Sequence, residues 1–339
     1  MEPDKSPMPN WYARAYFASF LAILILLLLY YGGHTLEKNL QKPMPRGDIT
    51  LRYGHDDLLE INGKKYRRCK DVTAVLLLGV DSPNETEISP YRSGGQADFL
   101  YLLIIDNNEK CISRIQINRD TLAPVTILGV LGHEAGIRSA QISLAHGFGK
   151  DEAQRCKLTM EAVARLLGGI KLDGYLSLNM GGITRLNDLV GGVTVTLKDD
   201  FTRFDPVMTT GAILTLKGRQ AEYYLRGRIG IGDGTNTFRM ERQKIFMSAL
   251  IEKMQDRTMA GMGTLVSLYD GLSDCITSSF SRGRLINGLW GIKDYTWNDP
   301  ISLPAEDAAT QDGFPAVTID ESFVMDTLIR MLYKELPAS

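Results

Sequence analysis

Residues suited to binding phosphate are concentrated between positions 217 and 244 of this chain. The segment carries seven Lys and Arg against three acids, a local charge of +4 in a chain whose net charge is −2. Arg226 and Arg228 are two residues apart, which predicts that both point to one side of an extended strand. Because guanidinium groups pair bidentately with phosphate oxygens, the segment indicates a site for a dianion or a pyrophosphate. The alternative is a solvated basic face with salt bridges to Asp233 and Glu241.

The same segment predicts a helix that begins after a glycine-rich loop. Arg239, Arg242 and Gln243 stand at positions i, i+3 and i+4, which places them on one face of that helix. The preceding loop, residues 230–236, reads GIGDGTN and leaves the first N–H groups of the helix free to bind an anion. The arginines and the helix start therefore predict one shared anion site.

Two carboxylates stand at the ends of predicted strands. Asp81 directly follows the apolar run VLLLGV, and Asp98 directly precedes the apolar run FLYLLII. If the strands pair antiparallel with a matching register, both acids emerge at one sheet edge, where they would suit Mg²⁺. If the strands are parallel, the two acids lie at opposite ends of the strands. The alternative is that each acid caps a turn or a strand end. Arg119 and Asp120 follow a third strand and are candidates for the same edge.

A sheet is needed to position these residues. The first two apolar runs are nearly continuous, which is typical of strands covered on both faces. Asn62 and Gly63 predict a hairpin before them. Helices alternate with the strands, which indicates an α/β fold with a central mixed β-sheet sandwiched by helices. The predicted strands are 72–80, 99–105 and 111–117, and the predicted helices are 152–167, 182–189 and 237–254.

Composition excludes several classes of protein. The chain has 339 residues, 44% of them hydrophobic and 23% charged, which is typical of globular proteins and excludes disordered and collagen-like chains. Its balanced charge lacks the global basic field of a nucleic-acid-binding protein, so no nucleic-acid partner is predicted. The cysteines match neither a C-x-x-C metal pair nor a redox motif, so no zinc site is predicted at them, and disulfide pairing and burial as small hydrophobes both stay open. These cysteines are Cys69, Cys111, Cys156 and Cys275.

One segment predicts a membrane anchor. Residues 15–33 contain no charged side chain, and as a helix they would span about 28 Å, close to the ~30 Å hydrocarbon core of a bilayer. A signal peptide is the alternative, but the apolar run is longer than usual and no A-x-A-like cleavage site follows it. Basic residues flank the run on both sides, so charge leaves its orientation open. Residues 34–70 are expected to form a stalk and the hairpin, before a domain at 71–339.

An ordered series of motifs resembles one known family. The motifs are LLLGVD (76–81), GQAD (95–98), INRDT (117–121), QISLAHGFG (141–149), LVGGVTV (189–195) and LRGR…DGTNTFRMERQ (225–243). From about Asp71 onward the chain resembles the LytR-CpsA-Psr family of bacterial cell-envelope proteins. The resemblance implies an α/β sandwich with an apolar lipid tunnel. It also implies a cell-membrane protein with one span, a cytoplasmic tail at 1–14 and an extracytoplasmic domain.

The resemblance further implies a reaction and a role for each motif residue. The reaction is transfer of a glycopolymer, a teichoic acid or a capsule-like polysaccharide, from a polyprenyl-pyrophosphate carrier to peptidoglycan, with Mg²⁺ as cofactor. Asp81 and Asp98 match the metal-associated acids of the family, and with Arg119 they form the expected catalytic set. The residues expected to grip the pyrophosphate are Arg226, Arg228, Arg239 and Gln243, with Arg242 beside them.

The chain departs from the family pattern at several positions. Gln96 stands where the family usually has an arginine, and nearby Arg92 is the candidate substitute. Two alternative functions are therefore kept: a catalytically weak lipid- or glycan-binding regulator of envelope assembly, and a pyrophosphatase. The family's acid before the helix aligns with Asn236 or Asp233. His146 replaces a residue that is commonly aromatic, and it is expected to serve packing.

Overall fold

The computed structural model of this protein describes the chain from residue 58 onward. Residues 1–57 and Arg92 lie outside the described residues, and so do the predicted tail, membrane span and stalk. Among the helices that are described, none has the length and hydropathy needed to cross a membrane. The described ranges are 58–61, 63–81, 91, 94–228, 230–259 and 261–337.

In the described part of the chain, seven strands precede the first α-helix, and strands and helices are mixed after it. The strands are β1 (Leu58–Ile61), β2 (Lys64–Arg68), β3 (Val72–Val80), β4 (Ala97–Asp106), β5 (Cys111–Ile117), β6 (Leu122–Leu128), β7 (Glu134–Gln141), β8 (Gly174–Asn179), β9 (Thr194–Thr196), β10 (Ile213–Thr215), β11 (Ile276–Ser278), β12 (Thr296–Ser302), β13 (Ala305–Ala309), β14 (Pro315–Ile319) and β15 (Tyr333–Glu335). The helices are α1 (Glu152–Leu166), α2 (Met180–Leu189), α3 (Arg219–Arg226), α4 (Asn236–Met259), α5 (Met262–Leu272), α6 (Arg282–Gly291) and α7 (Glu321–Leu332), and a 3₁₀ helix covers Ile142–Gly147.

A six-stranded mixed sheet forms the centre of the fold, in the order β11-β8-β3-β4-β5-β12. β3 is parallel to β8 and β5 is parallel to β12, whereas the other neighbours are antiparallel. β3 and β4 therefore satisfy the antiparallel condition, and their register sets Val80 opposite Ala97 after a bulge. The backbone N–H of Asp81 donates to the carbonyl of Gln96 at 2.9 Å. Asp81 and Asp98 thus leave the sheet at the same edge.

One face of this sheet is covered by α1 and α7. Along each strand, successive side chains point alternately to this face and to the opposite face. On β3, Leu76 and Leu78 are at most 2% exposed and belong to a core cluster that also contains Cys156 of α1 and Leu328 of α7. We call this surface the filled face.

The opposite face is covered by a layer made of helices α2 to α6. These helices have a core of their own, in which Phe201, Tyr224 and Phe246 are buried. No residue of the six central strands belongs to that core. On this side of the sheet, Leu77 of β3 and Leu176 of β8 are only half-buried. We call this surface the hollow face.

The predicted hairpin at Asn62-Gly63 is confirmed. β1 and β2 pair antiparallel with Ile61 opposite Lys64, and Gly63 adopts a φ of 76°, a conformation that glycine tolerates without strain. β15 extends this small sheet by pairing with β2. Leu59 of β1 enters the core under the filled face, so the hairpin is packed onto the domain. All four cysteines are free thiols in the structure.

Candidate functional site

An apolar cavity of about 190 Å³ lies between the hollow face and the helical layer. Its sheet side includes Leu77, Gly79, Phe99, Leu176 and Leu178, and its helical side includes Met180, Ile183, Leu186, Leu225, Phe246, Met247 and Leu250. The polar residues that line it are Asp98, Arg226, Arg239 and Gln243. An apolar space thus borders a small set of polar and charged groups, and we call that border the entrance.

Asp98 is the centre of the charged network at the entrance. One carboxylate oxygen accepts a hydrogen bond from Arg119, and the other lies 3.2 Å from a terminal nitrogen of Arg239. The side chain of Asp98 is only 13% exposed. Because a buried carboxylate is stable only when it is paired, the two arginines compensate its charge and fix its position.

Arg239 is held from two sides, although it is 2% exposed. Its Nε and one terminal nitrogen donate to the Asn236 side-chain oxygen at 3.1 and 2.6 Å, and the Asn236 amide donates to the Asn118 side chain. Burial lowers the pKa of Arg239 to about 10, against the opposing effect of Asp98. The guanidinium is therefore still charged at neutral pH, and it is prepositioned.

Arg226 forms a second, more open ion pair at the entrance. It donates to Asp81 at 2.9 Å and to Glu222 at 3.0 Å, and about two fifths of the Arg226 and Asp81 side chains are exposed. The prediction that Arg226 and Arg228 lie on an extended strand is wrong, because residues 219–226 form α3. Glu222 and Arg226 are separated by four residues, the spacing that stabilises a helical ion pair.

Gln96 takes part in the same network. Its side-chain oxygen accepts a hydrogen bond from Arg119, whose Nε also lies 3.4 Å from Asp120. Arg119 thus contacts Asp98, Gln96 and Asp120 together. A guanidinium at position 96 would face Arg119 with a like charge, whereas the amide oxygen of glutamine accepts from it.

The arginines and the glutamine on α4 have different surroundings. Gln243 borders the cavity and accepts from Gln116 of β5 at 3.3 Å, which fastens α4 to the sheet. The structure does not bring Arg242 to the cavity. Its guanidinium donates to the carbonyls of Tyr224 and Gly227, pairs with Asp199 at 3.0 Å and lies over the Phe201 ring. Arg242 is therefore part of the packing inside the helical layer.

The loop before α4 uses its polar side chains to begin the helix. Asp233 accepts from the N–H and the hydroxyl of Thr235, and the Thr235 hydroxyl accepts from the N–H of Phe238. Asn236, rather than Asp233, contacts the network around Arg239. Arg228 is half-buried and close enough to Arg239 to lower its pKa.

The acids at this edge have the chemistry of magnesium ligands. Asp81 and Asp98 both offer carboxylate oxygens, which Mg²⁺ prefers, and they lie at one sheet edge. Each carboxylate oxygen has two lone pairs, so a contact with an arginine leaves a second coordination direction. The donor set therefore fits Mg²⁺ in kind.

Sequence reasoning missed two residues of the network. The ion pair between Glu222 and Arg226 could have been predicted only if α3 had been predicted as a helix, because residues four apart lie close together in a helix and not in a strand. Asn118 gave no signal of its own, since its partner Asn236 is far along the chain and the two meet only in the folded protein.

The fold and the site define a class: an α/β sandwich whose apolar cavity ends at arginines and acids, suited to an amphiphile with an anionic head. Comparison with known sequences agrees with this class. The model of the LytR_cpsA_psr family matches residues 48–297, and the chain belongs to this family.

Two of the curated relatives carry the name of one enzyme. The chain is 25% identical over 268 residues to the polyisoprenyl-teichoic acid–peptidoglycan teichoic acid transferase TagU of Halalkalibacterium halodurans, covering 79% of this chain and 76% of that protein. It is 26% identical to the TagU of Enterococcus faecalis, with 69% of each chain covered. A third relative, 29% identical, is the biofilm regulatory protein A of Streptococcus mutans, over 55% of this chain and 46% of that one.

Solved structures share the fold. Protein gbs0355 of Streptococcus agalactiae superposes with a TM-score of 0.62 at 21% identity, covering 77% of this chain and 86% of that one. The crystal structure of TagV of B. subtilis gives a TM-score of 0.58 at 20% identity, covering 78% and 98%. A structure of TagT bound to LI-WTA gives 0.58 at 22% identity, covering 77% and 90%.

Proposed function

We propose that this protein is a membrane-anchored phosphotransferase of cell-wall assembly. It moves a glycopolymer, a teichoic acid or a capsule-like polysaccharide, from a polyprenyl-pyrophosphate carrier to peptidoglycan. The observation that carries the proposal is the continuity between the apolar cavity and the arginines and acids at its entrance. The names of the TagU relatives support the same reaction.

The apolar cavity accounts for the lipid part of the carrier. A prenyl chain is a hydrocarbon, and its burial is favoured by roughly 25 cal/mol per Å² of apolar surface removed from water. The aromatic and aliphatic side chains of the hollow face and of α4, such as Phe99 and Phe246, provide that surface. The cavity therefore selects a lipid-linked donor over a free sugar phosphate.

Arginines at the entrance account for the pyrophosphate. Arg239 is fixed by Asn236 and Asp98, so it loses little freedom when it binds a phosphate oxygen. Arg226 is half-exposed, and it can exchange part of its contact with Asp81 for a phosphate. Gln243 borders the same space and offers an uncharged contact.

The transfer is a substitution at phosphorus. A sugar hydroxyl of peptidoglycan forms a bond to the β-phosphorus, the bond from that phosphorus to the bridging oxygen breaks, and polyprenyl phosphate leaves with the bond's electrons. Asp81 contacts one arginine at the entrance and Asp98 contacts two, so Asp81 is better placed to accept the hydroxyl proton. Arg119, Arg226 and Arg239 stabilise the negative charge on the phosphoryl oxygens.

Mg²⁺ is the proposed cofactor, and Asp81 and Asp98 would hold it. When bound, it neutralises charge on the phosphate oxygens. The chain's own part is to keep the two carboxylates at one sheet edge, with Arg119 and Arg226 contacting them.

The proposal also includes the location of the protein. The apolar segment 15–33 anchors it in the cell membrane, and the α/β domain lies outside the cytoplasm, where peptidoglycan is found. The partners are then the lipid-linked glycan, peptidoglycan and the membrane, and no nucleic acid.

One assay separates this proposal from its alternatives. The full chain in detergent is incubated with a short glycan linked to polyprenyl pyrophosphate, peptidoglycan fragments and Mg²⁺. Transfer of the glycan to peptidoglycan supports the proposal, and transfer must fall when Mg²⁺ is chelated. Bound but unchanged lipid would indicate a regulator, the function that the Gln96 replacement favours, and a free phosphorylated sugar would indicate a pyrophosphatase.

A further inference from the structure

A second group of ligand-type side chains lies on the filled face, away from the cavity. His146 of the 3₁₀ helix and Cys156 of α1 are at most 1% exposed. The His146 Nε2 lies 3.0 Å from Glu152 Oε1 and 3.8 Å from Cys156 Sγ, and the Cys156 Sγ lies 4.0 Å from the same carboxylate oxygen. One imidazole nitrogen, one carboxylate oxygen and one sulfur therefore converge.

The protonation of His146 can be assigned from its neighbours. Its Nδ1 lies 3.1 Å from the carbonyl oxygen of Gly95. A carbonyl only accepts hydrogen bonds, so Nδ1 carries a proton and donates it there. In the neutral ring, Nε2 then presents a lone pair to the carboxylate of Glu152. Two acceptors at 3.0 Å need a cation between them, either a proton on Nε2 or a metal ion.

The spacing of the three atoms is close to that of a tetrahedral metal site. Zinc bonds of roughly 2.0 Å to nitrogen and oxygen and 2.3 Å to sulfur place neighbouring ligand atoms about 3.3 to 3.6 Å apart. The observed separations of 3.0, 3.8 and 4.0 Å bracket that range. Side-chain shifts of about half an ångström would produce the site, within the usual freedom of rotamers.

The ligand types indicate which class of ion fits. A thiolate, an imidazole and a carboxylate suit Zn²⁺ and similar divalent transition ions, whereas Mg²⁺ takes oxygen ligands. The bond from Nδ1–H to the Gly95 carbonyl is the outer contact that metal-binding histidines usually have, and it directs Nε2 towards the ion. Glu152 and Cys156 are four residues apart on α1, so they share one helix face.

We propose that His146 Nε2, Glu152 Oε1 and Cys156 Sγ form a binding site for a divalent transition-metal ion of the Zn²⁺ type. Binding replaces the proton on His146 Nε2 and the proton of the Cys156 thiol with the metal, and both protons are released to solvent. Ser177 hydrogen-bonds the Cys156 side chain.

Burial and neighbouring charges shift the pKa values of two of these ligands in opposite directions. Burial raises the pKa of the Glu152 carboxyl, but His146 and Arg155 outweigh it and hold that pKa below its usual value, so the carboxylate is ionised. Burial also raises the pKa of the Cys156 thiol to about 12. The thiol therefore keeps its proton at neutral pH.

A metal bound here would connect α1 to the loop before β4, which contains Gln96. Through Nδ1 the imidazole holds the carbonyl of Gly95, the residue before Gln96. The N–H of Gly94 also donates to the Gly147 carbonyl, at the end of the same 3₁₀ helix. The metal would thus stabilise the loop that carries Gln96 and Asp98, without contacting substrate itself. The site does not depend on the reaction proposed above.

The sequence concealed this arrangement. His146 was expected to serve packing because no partner for it was visible, and the cysteines were judged only against one another. The motif H-x5-E-x3-C, residues 146–156, becomes meaningful only when the 3₁₀ helix folds against α1.

Cobalt spectroscopy on the full chain tests the proposal. The chain is stripped with a chelator, kept reduced and titrated with Co²⁺. We expect one ion per chain, with a thiolate-to-cobalt charge-transfer band in the near ultraviolet, and competition by Zn²⁺. The band should persist in the double variant Asp81→Asn/Asp98→Asn, because those acids belong to the other site. A folded wild-type chain that shows no such band contradicts the proposal, whatever the variants do.

Two variants test whether the charge-transfer band arises from Co²⁺ bound to Cys156 and His146. Cys156→Ser should abolish it, and His146→Phe should weaken Co²⁺ binding at least about tenfold, the scale of a lost ligand or outer contact. Cys275→Ser is the matched control, since Cys275 is also a buried free thiol and lies outside the His146 group. A band that survives Cys156→Ser, or that Cys275→Ser removes, overturns the assignment.

Discussion

Strand β3 is apolar on both faces of the central sheet, but the two faces are packed differently. On β3, Leu76 and Leu77 are adjacent and chemically identical, yet Leu76 is 0% exposed on the filled face, whereas Leu77 is half-buried and borders the cavity. The filled face contacts α1 and α7 in one continuous core. The hollow face is covered by helices that already have a core of their own.

This difference shows how the fold makes room for a ligand. Helices α2 to α6 bury Phe201 and Tyr224 among themselves, so their stability does not require close contact with the sheet. Gly79 has no side chain and so leaves more space above the sheet. A Cβ at this position would lie 2.9 Å from the Cβ of Phe99. The apolar space is therefore part of the architecture, and the predictions below compare it with packed regions of the same chain.

The largest expected effect is that of Arg239→Ala. It removes a buried guanidinium that is placed at the entrance, so transfer should fall about 10²- to 10³-fold. It also removes one of the two arginines paired with Asp98 and the donor to the Asn236 side-chain oxygen, which should cost roughly 3 to 5 kcal/mol in the free energy of unfolding. Transfer rate and urea denaturation are the measurements.

Arg242→Ala is the matched control for this variant. Arg242 is one helical turn further along α4 and equally buried, but it pairs with Asp199 inside the helical layer. We expect a similar loss of stability with transfer per folded molecule nearly unchanged. Equal losses of transfer in the two variants would mean that the entrance has no special role.

The second prediction compares how much a leucine on the filled face and a leucine on the hollow face contribute to the free energy of unfolding. Leu76→Ala leaves a void in a packed core and should cost about 3 to 5 kcal/mol in the free energy of unfolding. Leu77→Ala enlarges a space that already exists, so it should cost about 1 to 2 kcal/mol less. Urea denaturation of both variants measures the difference, and equal costs would argue that the hollow face is packed in solution.

The third prediction concerns the open ion pair at the entrance. Arg226→Ala should reduce transfer about 10²-fold while changing the free energy of unfolding by less than about 1 kcal/mol, because the pair with Asp81 is half-exposed. Arg282→Ala is the control, since Arg282 forms a similarly exposed pair with Asp270 in the helical layer. Loss of folding in Arg226→Ala, or loss of transfer in Arg282→Ala, would contradict the assignment.

The smallest expected effect is a change in lipid affinity. Leu176→Trp places a larger side chain in the cavity and should weaken binding of a short polyprenyl phosphate about tenfold, which is ~1.4 kcal/mol. Leu289→Trp makes the same substitution at an exposed position of α6 and should leave binding unchanged. Titration calorimetry compares the two variants, and unchanged affinity in Leu176→Trp would exclude the cavity as the lipid site.

Much of this architecture was predictable because it rests on local periodicity. Apolar runs gave β3, β4 and β5, and helical spacing gave α1, α2 and α4, with bounds within a few residues of those predicted. The common edge for Asp81 and Asp98 was predictable only as a condition, because the antiparallel register of β3 and β4 is a tertiary property. Since both faces of β3 are apolar, its sequence does not tell which face is filled.

Residue roles were less predictable than the fold, because burial depends on distant segments. Arg226 and Arg239 look alike in the sequence, but one is half-exposed and the other is buried through Asn236 and Asp98. Arg242 shares a helix face with Arg239 by spacing, yet Asp199 and the Tyr224 carbonyl draw it into packing. Such pairings join segments that are far apart in the chain and carry no local signal.

The most direct test is a crystal structure of the chain with polyprenyl diphosphate and Mg²⁺. The account predicts the hydrocarbon between the hollow face and helices α2 and α4, with phosphate oxygens within hydrogen-bonding distance of Arg226 and Arg239. A hydrocarbon bound elsewhere on the domain, or a diphosphate away from these arginines, would contradict it.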